Sequence, residues 1–183
     1  MKKSIIQLVD ALKGKLLEFP GIVTKLERKE VDFLKTLLAW IIKSEEILST
    51  YNLSSVSELA GIRGKIISAR FSDNRGSSEK KLQLKIASES LFDVQKVVLD
   101  TLKPFELKVE ECRELVRQLL LIIAQTKTIK YSSDLPFEVL VNDIWQFILS
   151  NEQLKAGAIK LKTSLTLADI QVLIAEEINI EDF

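Results

Sequence analysis

The chain has 183 residues, no histidine and a single cysteine, and its 26 Lys/Arg are balanced by 26 Asp/Glu. A 46% apolar and 28% charged composition with zero net charge excludes disorder and a global field for nucleic acid or anionic membrane. Without histidine, no Ser-His-Asp triad, Cys-His dyad or His/Cys zinc site can be assembled within one chain.

The first residues, Lys2-Lys3 before Ser4-Ile5-Ile6-Gln7-Leu8-Val9, begin like a secretory leader, but Asp10 and Lys13 interrupt the apolar run. Ile5, Leu8, Val9, Leu12 and Leu16 recur at helical spacing and predict a helix over about 4–19, ended by Phe19-Pro20-Gly21. With Lys2, Lys3, Lys13 and Lys15 beside its apolar stripe, this helix suits a membrane surface or, more commonly, its own domain. A second helix is predicted over about 22–50, closed by Asn52. Its middle, Leu37 to Ile42, is apolar on nearly every side, so neighbouring helices or another chain must enclose it.

Ser55-Val56-Ser57-Glu58 has capping-box spacing and opens a third element. From there to about Lys85 two readings stand. Leu59, Ile62, Ile66 and Ala69 form a helical stripe. Ile67, Ala69 and Phe71, then Leu82, Leu84 and Ile86, alternate as a hairpin at about 65–87 around Asp73-Asn74-Arg75-Gly76. Two helices joined by a loop at 72–78 are preferred, because no other segment reads as a strand to pair with a hairpin. A helix from about 79 is predicted to end or kink at Pro104, and another follows over about 105–127 with acidic first turns. Pro136 opens a helix of about 136–150. A short helix weakened by Gly157 precedes a last one at about 167–178, capped by Thr166 and Asp169. No internal repeat is evident.

The fold class expected is therefore all-α: about four long helices in a bundle, a flanking N-terminal helix and a small C-terminal helical subdomain. The expected division is 1–130 for the bundle and 131–183 for the subdomain. The longest apolar runs are far shorter than the ~20 residues of a membrane span. A lone Cys112 gives no intrachain disulfide, and the expected compartment is the cytoplasm.

Two surfaces stand out for binding. Gly61-Ile62-Arg63-Gly64 has the glycine spacing of a KH-type GXXG loop. It opens a basic stretch with Arg63, Lys65, Arg70, Arg75, Lys80 and Lys81, a candidate nucleic-acid patch. The plainer reading is that the glycines let two helices approach closely and the basic groups are solvated. At the C-terminus, Ile178, Ile180 and Phe183 form a candidate contact end. The segment resembles half of a helix-turn-helix, but its charges beyond Thr163 are all acidic and repel phosphate.

Glu27, Glu30, Glu110, Glu111 and Glu114 lack the second half of a carboxylate metal motif. Cys112 sits in acidic company that raises a thiol pKa, and Trp40 and Trp145 read as core anchors. No catalytic residue, cofactor or metal is expected. The function expected is that of a non-enzymatic interaction protein, such as an adaptor, assembly subunit, or immunity- or antitoxin-like binder. It would act on a protein partner or by self-association, with nucleic-acid binding through 61–85 as the alternative.

Overall fold

The computed structural model describes residues 2–71, 79–131, 134 and 136–183. Its helices are α1 (Ile5–Glu27), α2 (Phe33–Thr50), α3 (Ser55–Ser68), α4 (Glu79–Glu89), α5 (Leu91–Thr126), α6 (Phe137–Ser150), α7 (Lys155–Ser164) and α8 (Leu167–Glu177). The fold is all-α, and no strand occurs among the described residues. The hairpin alternative is not seen: residues 65–68 complete α3, Ala69–Phe71 form a 3-10 turn, and 79–87 lie in α4. Its turn, Asp73 to Gly76, lies outside the described residues. No helix among them is long and apolar enough to cross a membrane.

Several predicted boundaries move, each for a local reason. Pro20 and Pro104 lie inside α1 and α5 and end neither helix. Both prolines are exposed, so their rings crowd no packed neighbour, and packing of the rest of each helix overrides the hydrogen bond that each removes. The break comes instead at Lys29, whose φ of 55° is left-handed. Glu30 N–H donates to the Lys25 carbonyl at 2.9 Å and Lys29 N–H to that of Leu26 at 3.0 Å, a Schellman closure built without glycine. Asn52 closes α2 in the same way, with φ 55° and Leu53 N–H on the Leu48 carbonyl at 3.0 Å. The Ser55 capping box does not form. Ser55 lies within α3, and its hydroxyl accepts a hydrogen bond from Thr101 at 2.9 Å.

The chain divides into two compact units, residues 7–104 and residues 1–6 with 105–183, so the division falls within α5 rather than at 130/131.

In the unit of residues 7–104, α1 and α2 form one helical hairpin, and α3 with α4 and the start of α5 forms another. The buried, half-buried and exposed positions of 33–50 recur one for one at 83–100, a spacing of 50 residues. In the preceding helices the sequences Leu12-Lys13-Gly14-Lys15-Leu16-Leu17 and Ile62-Arg63-Gly64-Lys65-Ile66-Ile67 are alike at the same spacing, but their buried positions do not coincide. An internal repeat is therefore present where none was expected. The first hairpin closes on Trp40, which meets Phe19 edge-on at 5.1 Å between centroids and donates its indole N–H to the Lys15 carbonyl at 2.8 Å. Lys15 is itself buried and paired with Glu18. Helix α2 lies against both α3 and α4, and Glu45 of α2 pairs with Arg63 of α3 at 2.8 Å.

In the other unit, α6 packs on α7 and α8. Its core includes Ile144, Trp145, Ile148, Leu161, Leu173 and Ile174. Gly157 lets α7 approach α5, since a Cβ there would stand 3.0 Å from a methyl of Leu119. Thr166 and Asp169 form the capping box that the sequence predicts at the start of α8.

Candidate functional site

The repeat supplies the most distinctive surface. Across 33–50 and 83–100 a position buried in one segment is buried in the other, so an exposed apolar residue at a matching position is a property of the repeat. Ile42 of α2 and Phe92 of α5 match and are 42% and 70% exposed. Leu17 of α1 and Ile67 of α3 are 82% and 38% exposed but have no such match. Scattered exposed apolar side chains need no explanation, whereas the same departure from amphipathic patterning made twice is an organised feature. The apolar stretch 37–42 is otherwise accounted for internally, because Leu37, Trp40 and Ile41 are buried. In the run 115–124, Val116, Leu119, Leu120 and Ile123 are buried while Leu121 and Ile122 remain exposed.

The basic patch is not assembled as expected. Arg63 is half-buried and committed to Glu45, which also raises its guanidinium pKa. A phosphate would have to displace that carboxylate. Lys65 and Arg70 are exposed at the end of α3, and Lys80 and Lys81 are exposed at the start of α4. Arg75 lies outside the described residues. Gly61 and Gly64 are inside a regular helix with no positive φ, so the GXXG spacing makes no loop. The close-approach reading fails too: a Cβ at either glycine, or at Gly14, would meet nothing within 4 Å.

The C-terminal contact end is partly spent on its own unit. Ile178 and Phe183 are half-buried and Ile180 is exposed. The Phe183 carbonyl accepts the Tyr131 N–H at 2.7 Å, and Phe183 lines a cleft with Leu120, Leu121 and Arg117. Beside it, Glu177 takes Arg117 Nε at 2.6 Å and Arg113 Nη1 at 2.5 Å. Arg117, then Arg113, hold the Glu177 carboxyl below its ordinary range by hydrogen bonding to the ionised form. Glu110 and Glu114 pair with the same arginines, so these glutamates serve an ion-pair network.

Sequence reasoning missed a clasp at the N-terminus. The carboxylate of Asp169, 2% exposed, accepts the Ile5 and Thr166 N–H groups, each at 3.2 Å, together with the Ser4 hydroxyl. One side chain thus serves the N-termini of α1 and α8, where unpaired N–H groups favour an anion. Lys2 donates to the carbonyls of Lys162, Thr163 and Leu165 at 3.2, 2.6 and 3.3 Å, where the end of α7 favours a cation. Only the Thr166–Asp169 half of this arrangement has a local signature.

Cys112 is buried, and burial is the main cause that pushes its thiol pKa up, with nearby Glu111 a minor one. A raised pKa means little thiolate and poor nucleophilicity. Among the described residues no group of three His, Cys, Asp or Glu side chains is gathered closely enough to hold a metal ion. No protein-family model matches the chain, and comparison with curated proteins and with solved structures finds no match.

Proposed function

We propose that this chain works by binding another protein, as an adaptor or assembly subunit, with the tandem hairpins of residues 7–104 as its recognition surface. The observation that carries this reading is the exposure of an apolar residue at the same position of both repeat segments, Ile42 and Phe92. Burial of such side chains at about 25 cal/mol per Å² of apolar area is the general driving force for protein association. Aromatic anchors like Phe92 dominate interface energetics when they fill a pocket on a partner. The missing histidine and the buried, weakly acidic thiol also favour a binding role over catalysis.

Salt response tests the reading. The tagged chain, recovered from its native cell, is expected to retain a protein partner, or a second copy of itself, equally at low and high ionic strength. Retention of nucleic acid that falls steeply with salt would replace this reading with the alternative one, carried by Lys65, Arg70, Lys80 and Lys81.

A further inference from the structure

We infer that two copies of this chain pair through the matched segments, with α2 of each copy set against α5 of the other. This pairing rests on the binding role proposed above and names its partner as a second copy. Between 33–50 and 83–100, three matching positions are charged in both segments: Lys35 with Lys85, Lys43 with Asp93, and Glu46 with Lys96. The first keeps its sign. The other two follow Ile42 and Phe92 within about one helical turn, and both reverse it.

Lys43, Glu46, Asp93 and Lys96 are all exposed, and none has a side-chain hydrogen bond or ion pair among the described residues. Elsewhere in the same unit such charges are committed, as Glu45 is to Arg63 and Lys15 to Glu18. In-register pairing of each segment with itself in a second copy would face like charge with like, which opposes association. In-register pairing with the other segment brings opposite charges together while Ile42 covers Phe92. Glu46 and Lys96 lie only about 40° around the helix from the apolar residue and reach across the contact; Lys43 and Asp93, at about 100°, flank it. Burial of the apolar pair supplies the attraction, and the charges choose the segment. A two-fold axis makes the contact twice, once from each copy, so the assembly closes at two.

The test is sedimentation equilibrium of the full chain at low ionic strength, where exposed charges are least screened. The wild type is expected to dimerise from micromolar concentration upward. Glu46→Lys alone and Lys96→Glu alone should each weaken the dimer about tenfold or more, because each sets like charges together in both contacts. An equal mixture of the two single variants should recover the dimer, and so should the double variant Glu46→Lys/Lys96→Glu, because opposite charges then meet in both contacts. Both replaced residues are exposed, so an unchanged circular dichroism spectrum should show each variant folded. A monomeric wild type, single variants that dimerise as tightly as the wild type, or a mixture that associates no better than its components overturns the inference. A chain that is monomeric yet loses a different protein partner on Ile42→Asp/Phe92→Asp substitution overturns it as well, while leaving the binding role intact.

Discussion

The two hairpins of residues 7–104 bury the same positions with different side chains. On the inner face of α2 stand Phe33, Leu37, Trp40, Ile41 and Leu48; at the matching positions of α4, its junction with α5, and α5 stand Gln83, Ala87, Ser90, Leu91 and Val98. Across 33–50 and 83–100 position decides whether a residue is buried, and the residue decides how much that burial contributes. The first hairpin is filled by large and aromatic groups, whereas the first part of the second is filled by small and polar ones. The difference suggests that the α1–α2 hairpin resists opening more than α4 does, since local stability follows buried apolar contact.

Substitution at matching positions measures that difference. Trp40→Ala is expected to have the largest effect of any single change here, a loss of about 3–5 kcal/mol in urea unfolding, because it removes a buried ring and its indole hydrogen bond. Ser90→Ala at the equivalent position should cost less than about 1 kcal/mol, because the Ser90 hydroxyl donates to the Ile86 carbonyl one turn back, a local bond within its own segment. Similar losses at the two sites would break the comparison.

Asp169→Ala should follow, at about 2–3 kcal/mol, because it strips a shared cap from two helix N-termini and leaves the Ile5 and Thr166 N–H groups without their acceptor. Hydrogen exchange should show the loss first in residues 5–9 and 166–170.

Glu177→Gln is expected to cost about 1 kcal/mol at neutral pH, a modest figure because the arginines are partly exposed to water. The native protein favours the ionised Glu177, so its contribution is complete above the ordinary glutamate value. It fades as pH falls through the depressed native value. The variant should therefore show a flatter acid limb in a plot of unfolding midpoint against pH.

The smallest effects are stabilising. Gly14→Ala and Gly64→Ala occupy exposed helical positions with open space for a Cβ, and each should raise stability by about 0.5–1 kcal/mol. Gly157→Ala, crowded by Leu119, should gain nothing or lose.

The all-α class was legible because apolar spacing on long segments is a strong signal. So were the starts of α6 and α8, where Pro136 and the Thr166–Asp169 pair carry local chemistry. The ends of α1 and α2 were harder to place. Lys29 and Asn52 adopt left-handed backbone without being glycine, while Pro20 and Pro104, the conspicuous breakers, sit harmlessly on exposed helix faces. The repeat escaped notice because little identity marks it beyond Gly14-Lys15 with Gly64-Lys65 and Leu34-Lys35 with Leu84-Lys85. Only the burial pattern makes it plain. Of the surfaces expected, Arg63 was misjudged because its partner, Glu45, is 18 residues away on another helix. The clasp of Lys2 and Ser4 on the turn between α7 and α8 was missed because it joins opposite ends of the chain.

The central claim is that the matched apolar positions of the two hairpins hold a partner, and one comparison tests it directly. Wild-type protein and an Ile42→Asp/Phe92→Asp variant, each tagged and expressed in the native cell, are recovered side by side and their associated proteins quantified. Both replaced residues are exposed, so the variant should keep its helical content and unfolding midpoint within about 0.5 kcal/mol. The account predicts that the variant loses the protein partner, or the second copy, that the wild type retains. Equal recovery of the same partner by the two proteins would contradict it.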